Sequence, residues 1–99
     1  MICPTKQMVD NRSPPTCMTD TLFRRAAETL DRLALAVASQ VDPRPLFVAA
    51  ERDVGLLPIA ADEFALMCCR LRNVRQYLSE GERGAAAYEL RLMSRCLSR

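Results

Sequence analysis

The chain has no histidine and no tryptophan, only three glycines, three phenylalanines and two tyrosines, and a single lysine among fourteen cationic residues. Each shortage excludes something. Without histidine there is no side chain whose ordinary pKa suits general acid–base work near neutral pH. Gly55, Gly81 and Gly84 are too dispersed for a phosphate-cradling loop, and neither a P-loop nor a G-x-S-x-G pattern occurs. An enzyme is therefore not expected, and no cofactor is implied.

Five cysteines (Cys3, Cys17, Cys68, Cys69, Cys96) form no C-x-x-C pair. With no histidine to join them they have no zinc-ligand spacing, so no metal site is expected and the thiols read as buried and free. Long apolar runs are missing too. The longest, Leu33–Ala38 and Ala65–Cys69, fall far short of the roughly 20 residues that span a bilayer. Residues 1–20 carry no apolar stretch of signal-peptide length. A cytoplasmic location without membrane contact is the resulting expectation.

What is present is 49% hydrophobic content in 99 residues, enough for one small domain. The apolar filling is Leu, Ala, Val, Met and Cys. Alanine-rich helices approach closely but bury little area each, so a homodimer is one way to complete such a core. The +2 net charge is unevenly spread: residues 1–69 hold seven Lys/Arg against nine Asp/Glu, residues 70–99 seven Arg against three Glu. Arginine suits bidentate pairing with carboxylate or phosphate, although arginine with abundant alanine also matches the codon usage of GC-rich bacteria.

Residues 1–19 read as a disordered or extended N-terminal tail, broken by Pro4, Pro14 and Pro15, and residues 20–99 as a single helical domain. A first helix is predicted from Asp20 to Gln40, capped by Thr19 or Asp20. Its stripe is Phe23, Ala27, Leu30, Ala34, Val37 and Val41. A short second helix follows Asp42-Pro43, ends near Val54 and is closed by a left-handed Gly55. Leu56 to Ile59 form an apolar connector laid on the core. The third helix is predicted over Ala61–Ser79, with Asp62 and Glu63 favouring its positive end, and the fourth from Glu82 to about Leu97. The fold class is thus all-α: a small bundle of four helices ending in an antiparallel helical hairpin.

In the fourth helix Ala86, Leu90, Met93 and Leu97 form the central stripe. Ala85, Leu92 and Cys96 widen the apolar arc, and Arg91, Arg95 and Ser98 lie opposite. So wide an arc suits a helix lodged between two neighbours, or one that covers a partner. In the hairpin Tyr77 is followed by Gly81, Ala86 and Leu90 at offsets four, nine and thirteen. Gly81 turns the chain, Ala86 permits a close crossing, and Tyr77 and Leu90 fill the space beside it.

That spacing resembles the second half of a tetratricopeptide-repeat hairpin. The resemblance covers Arg70 to Leu97 and departs from the family at Asn73, Val74 and Met93 and in lacking a closing proline. No second copy occurs upstream. It implies a concave surface that holds a peptide or helix of another protein.

The expected function is a non-catalytic protein-interaction module (adaptor, chaperone, regulator or immunity-type inhibitor). It would bind a protein partner through its last two helices, with Tyr77, Arg91, Leu92 and Arg95 as the candidate binding residues. The alternative is a nucleic-acid-binding regulator that uses the arginines of residues 70–99. Against it stand the interspersed Glu80, Glu82 and Glu89 and the lack of an aromatic cluster for base stacking.

Overall fold

The structure, a computed structural model, describes the backbone of residues 14–98 and side chains from Thr19 to Ser98. It is all-α: α1 (Pro14–Ala38), α2 (Arg44–Gly55), α3 (Ala61–Ser79) and α4 (Arg83–Leu97). The expected tail of residues 1–13 lies outside the described residues. Residues 14–19, also assigned to that tail, are instead the first turns of α1. Pro14 and Pro15 are tolerated there, because a helix's first amides have no intrahelical acceptor to lose. Thr19 and Asp20 are consequently inside α1 rather than at its cap.

Each helix runs antiparallel to the next in sequence, and α4 closes the ring against α1. The Ser94 hydroxyl donates to the Ala27 carbonyl at 3.2 Å and Arg83 Nη1 to the Val37 carbonyl at 3.2 Å, which sets the α1–α4 register. Contact is most extensive between α1 and α4 and slightest between α2 and α3. Ala26, Leu30, Leu33, Ala34, Val37, Phe47, Ala50, Val54, Leu71, Val74, Ala86, Leu90 and Met93 make up most of the core. The expected α1 stripe is buried at Ala27, Leu30, Ala34 and Val37, with Phe23 half-buried. Val41, beyond the helix end, is exposed.

The termini follow local chemistry. Gln40, at φ 61°, ends α1 in the left-handed conformation, with the Val41 amide donating to the Ala36 carbonyl at 2.9 Å and Gln40 N to Val37 at 3.4 Å. This is a Schellman closure with glutamine where glycine is usual. Asp42 organises the start of α2. Its carboxylate accepts the Arg44 amide at 3.1 Å and the Arg44 guanidinium in a fork. The guanidinium first, and the amide after it, hold the Asp42 carboxyl below its ordinary pKa. Gly55 is not the left-handed stop expected of it. It is the last helical residue of α2, and the chain leaves through Leu56 and Leu57, whose amides donate to the Asp53 and Val54 carbonyls. The connector then splits, Leu57 buried, Ile59 packed on the core and Leu56 exposed.

Asp62 and Glu63 occupy the first turn of α3, where the Glu63 carboxylate accepts the Ala60 amide at 3.3 Å. Ala60 has no side-chain acceptor to return the bond, so this is half a capping box. At the α3–α4 turn Gly81, at φ 77°, plays the role expected of it, with the Glu82 amide donating to the Tyr77 carbonyl at 2.8 Å.

One buried polar pair interrupts the core. Asp53, 4% exposed, accepts a 2.7 Å hydrogen bond from the Thr29 hydroxyl across the α1–α2 interface. Its other carboxylate oxygen has no hydrogen bond, and Arg52 Nε lies 3.6 Å away.

Candidate partner-binding site

α4 follows its glycine turn with Ala85, Ala86 and Ala87, good helix formers small enough for close packing. Its buried face is Ala86, Leu90, Met93 and Leu97, as the spacing predicts, with Ala87 and Ser94 added on the α1 side. The helix is lodged between α1 and α3, one of the two arrangements its wide arc allowed. Of the residues expected to widen that arc, Ala85 and Leu92 are half-buried and Cys96 is exposed.

The outer face of α4 carries Tyr88, Arg91, Leu92 and Arg95. Their i, i+3, i+4, i+7 spacing sets them within a sector of about 100°. Tyr88 is 62% exposed, Arg91 and Arg95 are exposed, and Leu92 is half-buried. Three of the four expected binding residues therefore share this face. The fourth, Tyr77, does not: it is half-buried against the core beside the turn, where its carbonyl accepts the Glu82 amide. Counting from Glu82, it stands about 13 Å along the helix axis from Arg91 at 1.5 Å per residue. The tyrosine on the outer face is Tyr88. Its signal in the sequence was its spacing to Arg91, Leu92 and Arg95, masked by the hairpin pattern that singled out Tyr77.

The arginines of residues 70–98 do not form a continuous face. Arg70 pairs with Glu89 at 3.1 Å in the half-buried floor between α3 and α4. Arg75 pairs with Glu51 at 2.6 Å and lies 4.4 Å over the Phe47 ring, crossing from α3 to α2. Arg83 donates to α1. Among the described residues no carboxylate is within ion-pair distance of Arg72, Arg91 or Arg95. Arg99 lies outside the described residues.

Of the clefts on the described surface, three border α3. One, of about 320 Å³, lies where Leu66, Arg70, Met93 and Cys96 border the α3–α4 groove. The other two flank Arg75: about 410 Å³ over Val54, Phe64, Cys68 and Leu71, and about 600 Å³ over Phe47, Val48 and Leu78. Cys68, Cys69 and Cys96 are free thiols but not the buried ones expected: Cys68 is half-buried, and Cys69 and Cys96 are exposed. Among the described residues no group of three His, Cys, Asp or Glu could hold a metal. No helix among them is long and apolar enough to cross a membrane. Compared with protein families, curated proteins and solved structures, the chain matches none.

Proposed function

We propose that this chain is a small non-catalytic interaction module, of the adaptor, chaperone, regulator or inhibitor kind, that captures a protein partner on the outer face of α4. The observation that carries the reading is the exposed Tyr88 beside Leu92, flanked by Arg91 and Arg95, which no carboxylate pairs among the described residues. Tyrosine and arginine around an apolar centre are the residue types that dominate binding energy at protein interfaces. Tyr77 supports the same hairpin from within, as a packing residue rather than a contact. The tetratricopeptide-like spacing is consistent with a helix-holding role, though it rests on the turn and crossing residues alone. Free thiols fit a reducing compartment such as the cytoplasm. A second copy would have to use another surface, because two α4 faces would set Arg91 and Arg95 against themselves.

The test is a tagged pull-down from the native host, with and without nuclease, using the wild-type chain and a Arg91→Glu/Arg95→Glu double variant. A stoichiometric protein partner that survives nuclease and is lost by the folded double variant is the expected result. Capture of nucleic acid, with any protein lost on nuclease treatment, would instead favour phosphate binding by Arg72, Arg91 and Arg95. Unchanged capture by the double variant would remove α4 as the site.

A further inference from the structure

The outer face of α4 is made of two parallel rows, and their chemistry differs. Tyr88 and Leu92 form one row, apolar with a phenol at its edge. Arg91 and Arg95 form the other, cationic and without an ion-pair partner among the described residues. Glu89, the only acid within α4, lies beyond Leu92 on the α3 flank, well round the helix from the arginines, and is held by Arg70 at 3.1 Å, so it does not neutralise them. Both rows have i, i+4 spacing, the pitch of the ridges by which one helix packs on another.

We infer that the surface docking here is an amphipathic helix. Its apolar ridge lies on Tyr88 and Leu92, and carboxylates one turn apart along its flank meet Arg91 and Arg95. This rests on the protein-capture reading above and names the chemistry of the partner. Guanidinium forks take carboxylates bidentately, so two arginines at helical pitch read two acids at the same pitch. A helix with lysines in those places is repelled by the same row, which supplies discrimination as well as attraction. A nucleic-acid backbone would satisfy the arginines but leave the Tyr88–Leu92 row without an apolar partner.

Isotope-labelled full-length chain is titrated with two synthetic helical peptides that share one leucine ridge, one flanked by glutamates at i, i+4 and the other by lysines. A short DNA duplex is the third probe. The glutamate peptide is expected to shift the amides of Tyr88, Arg91, Leu92 and Arg95 saturably. It should bind about tenfold more tightly than the lysine peptide, the scale of two exposed ion pairs gained against two repulsions. The Arg91→Glu/Arg95→Glu variant, with helicity checked by circular dichroism, should reverse the order of the two peptides. Equal binding of both peptides by the wild-type chain overturns the inference, as do shifts confined to the clefts beside Arg75, or duplex binding at Arg91 and Arg95 without the glutamate peptide. If a nuclease-resistant partner still depends on Arg91 and Arg95 while the peptides are not distinguished, the acidic helix is wrong and protein capture stands. If both dependences are absent, both readings fall.

Discussion

Two seams of the bundle are built from the same alphabet with opposite results. Along α1–α4, small residues such as Ala27, Ala34, Ala86 and Ala87 are buried, and the helices come close enough for the Ser94 hydroxyl to bond the Ala27 backbone. Along α2–α3, Phe47 and Leu71 are buried and Leu78 half-buried, and a long side chain, Arg75, reaches across to Glu51 and the Phe47 face. Small side chains let one seam close; larger ones hold the other apart and leave clefts beside the strap. Length contributes as well, since the twelve residues of α2 cannot cover the nineteen of α3. The closed seam fixes α4's inner face and so presents its outer face on a rigid support.

The largest break of that contrast is a cavity placed on each side of it. Leu90 is fully buried on α4, and Leu90→Ala should cost about 3 kcal/mol of unfolding free energy. Leu78 is half-buried at the open seam and already borders a cleft, so Leu78→Ala should cost only about 1 kcal/mol. Urea unfolding of both variants checks the ratio. Equal losses would mean that the α2–α3 seam is as well packed as α1–α4.

The next effect concerns the polar pair that ties α2 to α1. Thr29→Val keeps the side chain's shape but removes the donor to Asp53, leaving a carboxylate at 4% exposure with only Arg52 near it. The expected loss is about 2 kcal/mol, because stranding a buried acceptor costs its desolvation. Adding Asp53→Leu should recover most of that loss, since replacing both partners by apolar groups is nearly neutral. A double-mutant cycle that shows no coupling between the two positions would mean that the 2.7 Å bond contributes nothing.

How much of this was legible beforehand follows from what each feature depends on. The bounds of α3 and the buried stripe of α4 are periodic patterns bounded by Gly81 and the Ser79 turn, and local chemistry decides them. The start of α1 was not, because two prolines look alike whether they end a coil or open a helix. Gly55 differs from its expected role because a glycine after an apolar face suggests a left-handed stop, whereas α2 runs through it and leaves by Leu56 in right-handed backbone. Nothing local marks Asp53 as buried; it becomes so only when α1 brings Thr29 opposite. Of the proposed face, Arg91 and Arg95 are legible as the side of α4 opposite its stripe, and Leu92 as the edge of its apolar arc. Tyr88 was missed because its exposure depends on which flank α3 covers.

The two left-handed residues offer a matched test at opposite corners of the bundle. Gly81 needs its φ of 77°, so Gly81→Ala should cost about 1 kcal/mol by forcing a side chain into that region. Gln40 already carries that strain at φ 61°, and Gln40→Gly should gain roughly 0.5 kcal/mol once glycine's extra unfolded-state freedom is counted. Thermal unfolding should move in opposite directions for the pair. A destabilised Gln40→Gly chain would mean that the α1–α2 turn is held by its side chain rather than tolerated despite it.

The smallest stability effect is expected at the strap itself, and it is the most informative about the comparison. Arg75 and Glu51 are each about half exposed, so their 2.6 Å pair is screened by solvent. The guanidinium's stacking over Phe47 at 4.4 Å adds about 0.5 kcal/mol at such a site. Arg75→Ala should therefore lower global stability by less than about 1 kcal/mol. Its local consequence should be larger than its global one: with the strap gone, α2 keeps only its slight packing on α3 and is held mainly by α1, the Thr29–Asp53 bond included. Native-state hydrogen exchange separates the two. In the wild-type chain the α2 amides should open at lower free energy than those of α1 and α4, and Arg75→Ala should widen that gap without moving the α1 and α4 values beyond the global change. If α2 and α4 exchange as one unit in both chains, the open seam is no weaker than the closed one and the contrast between them is geometric only.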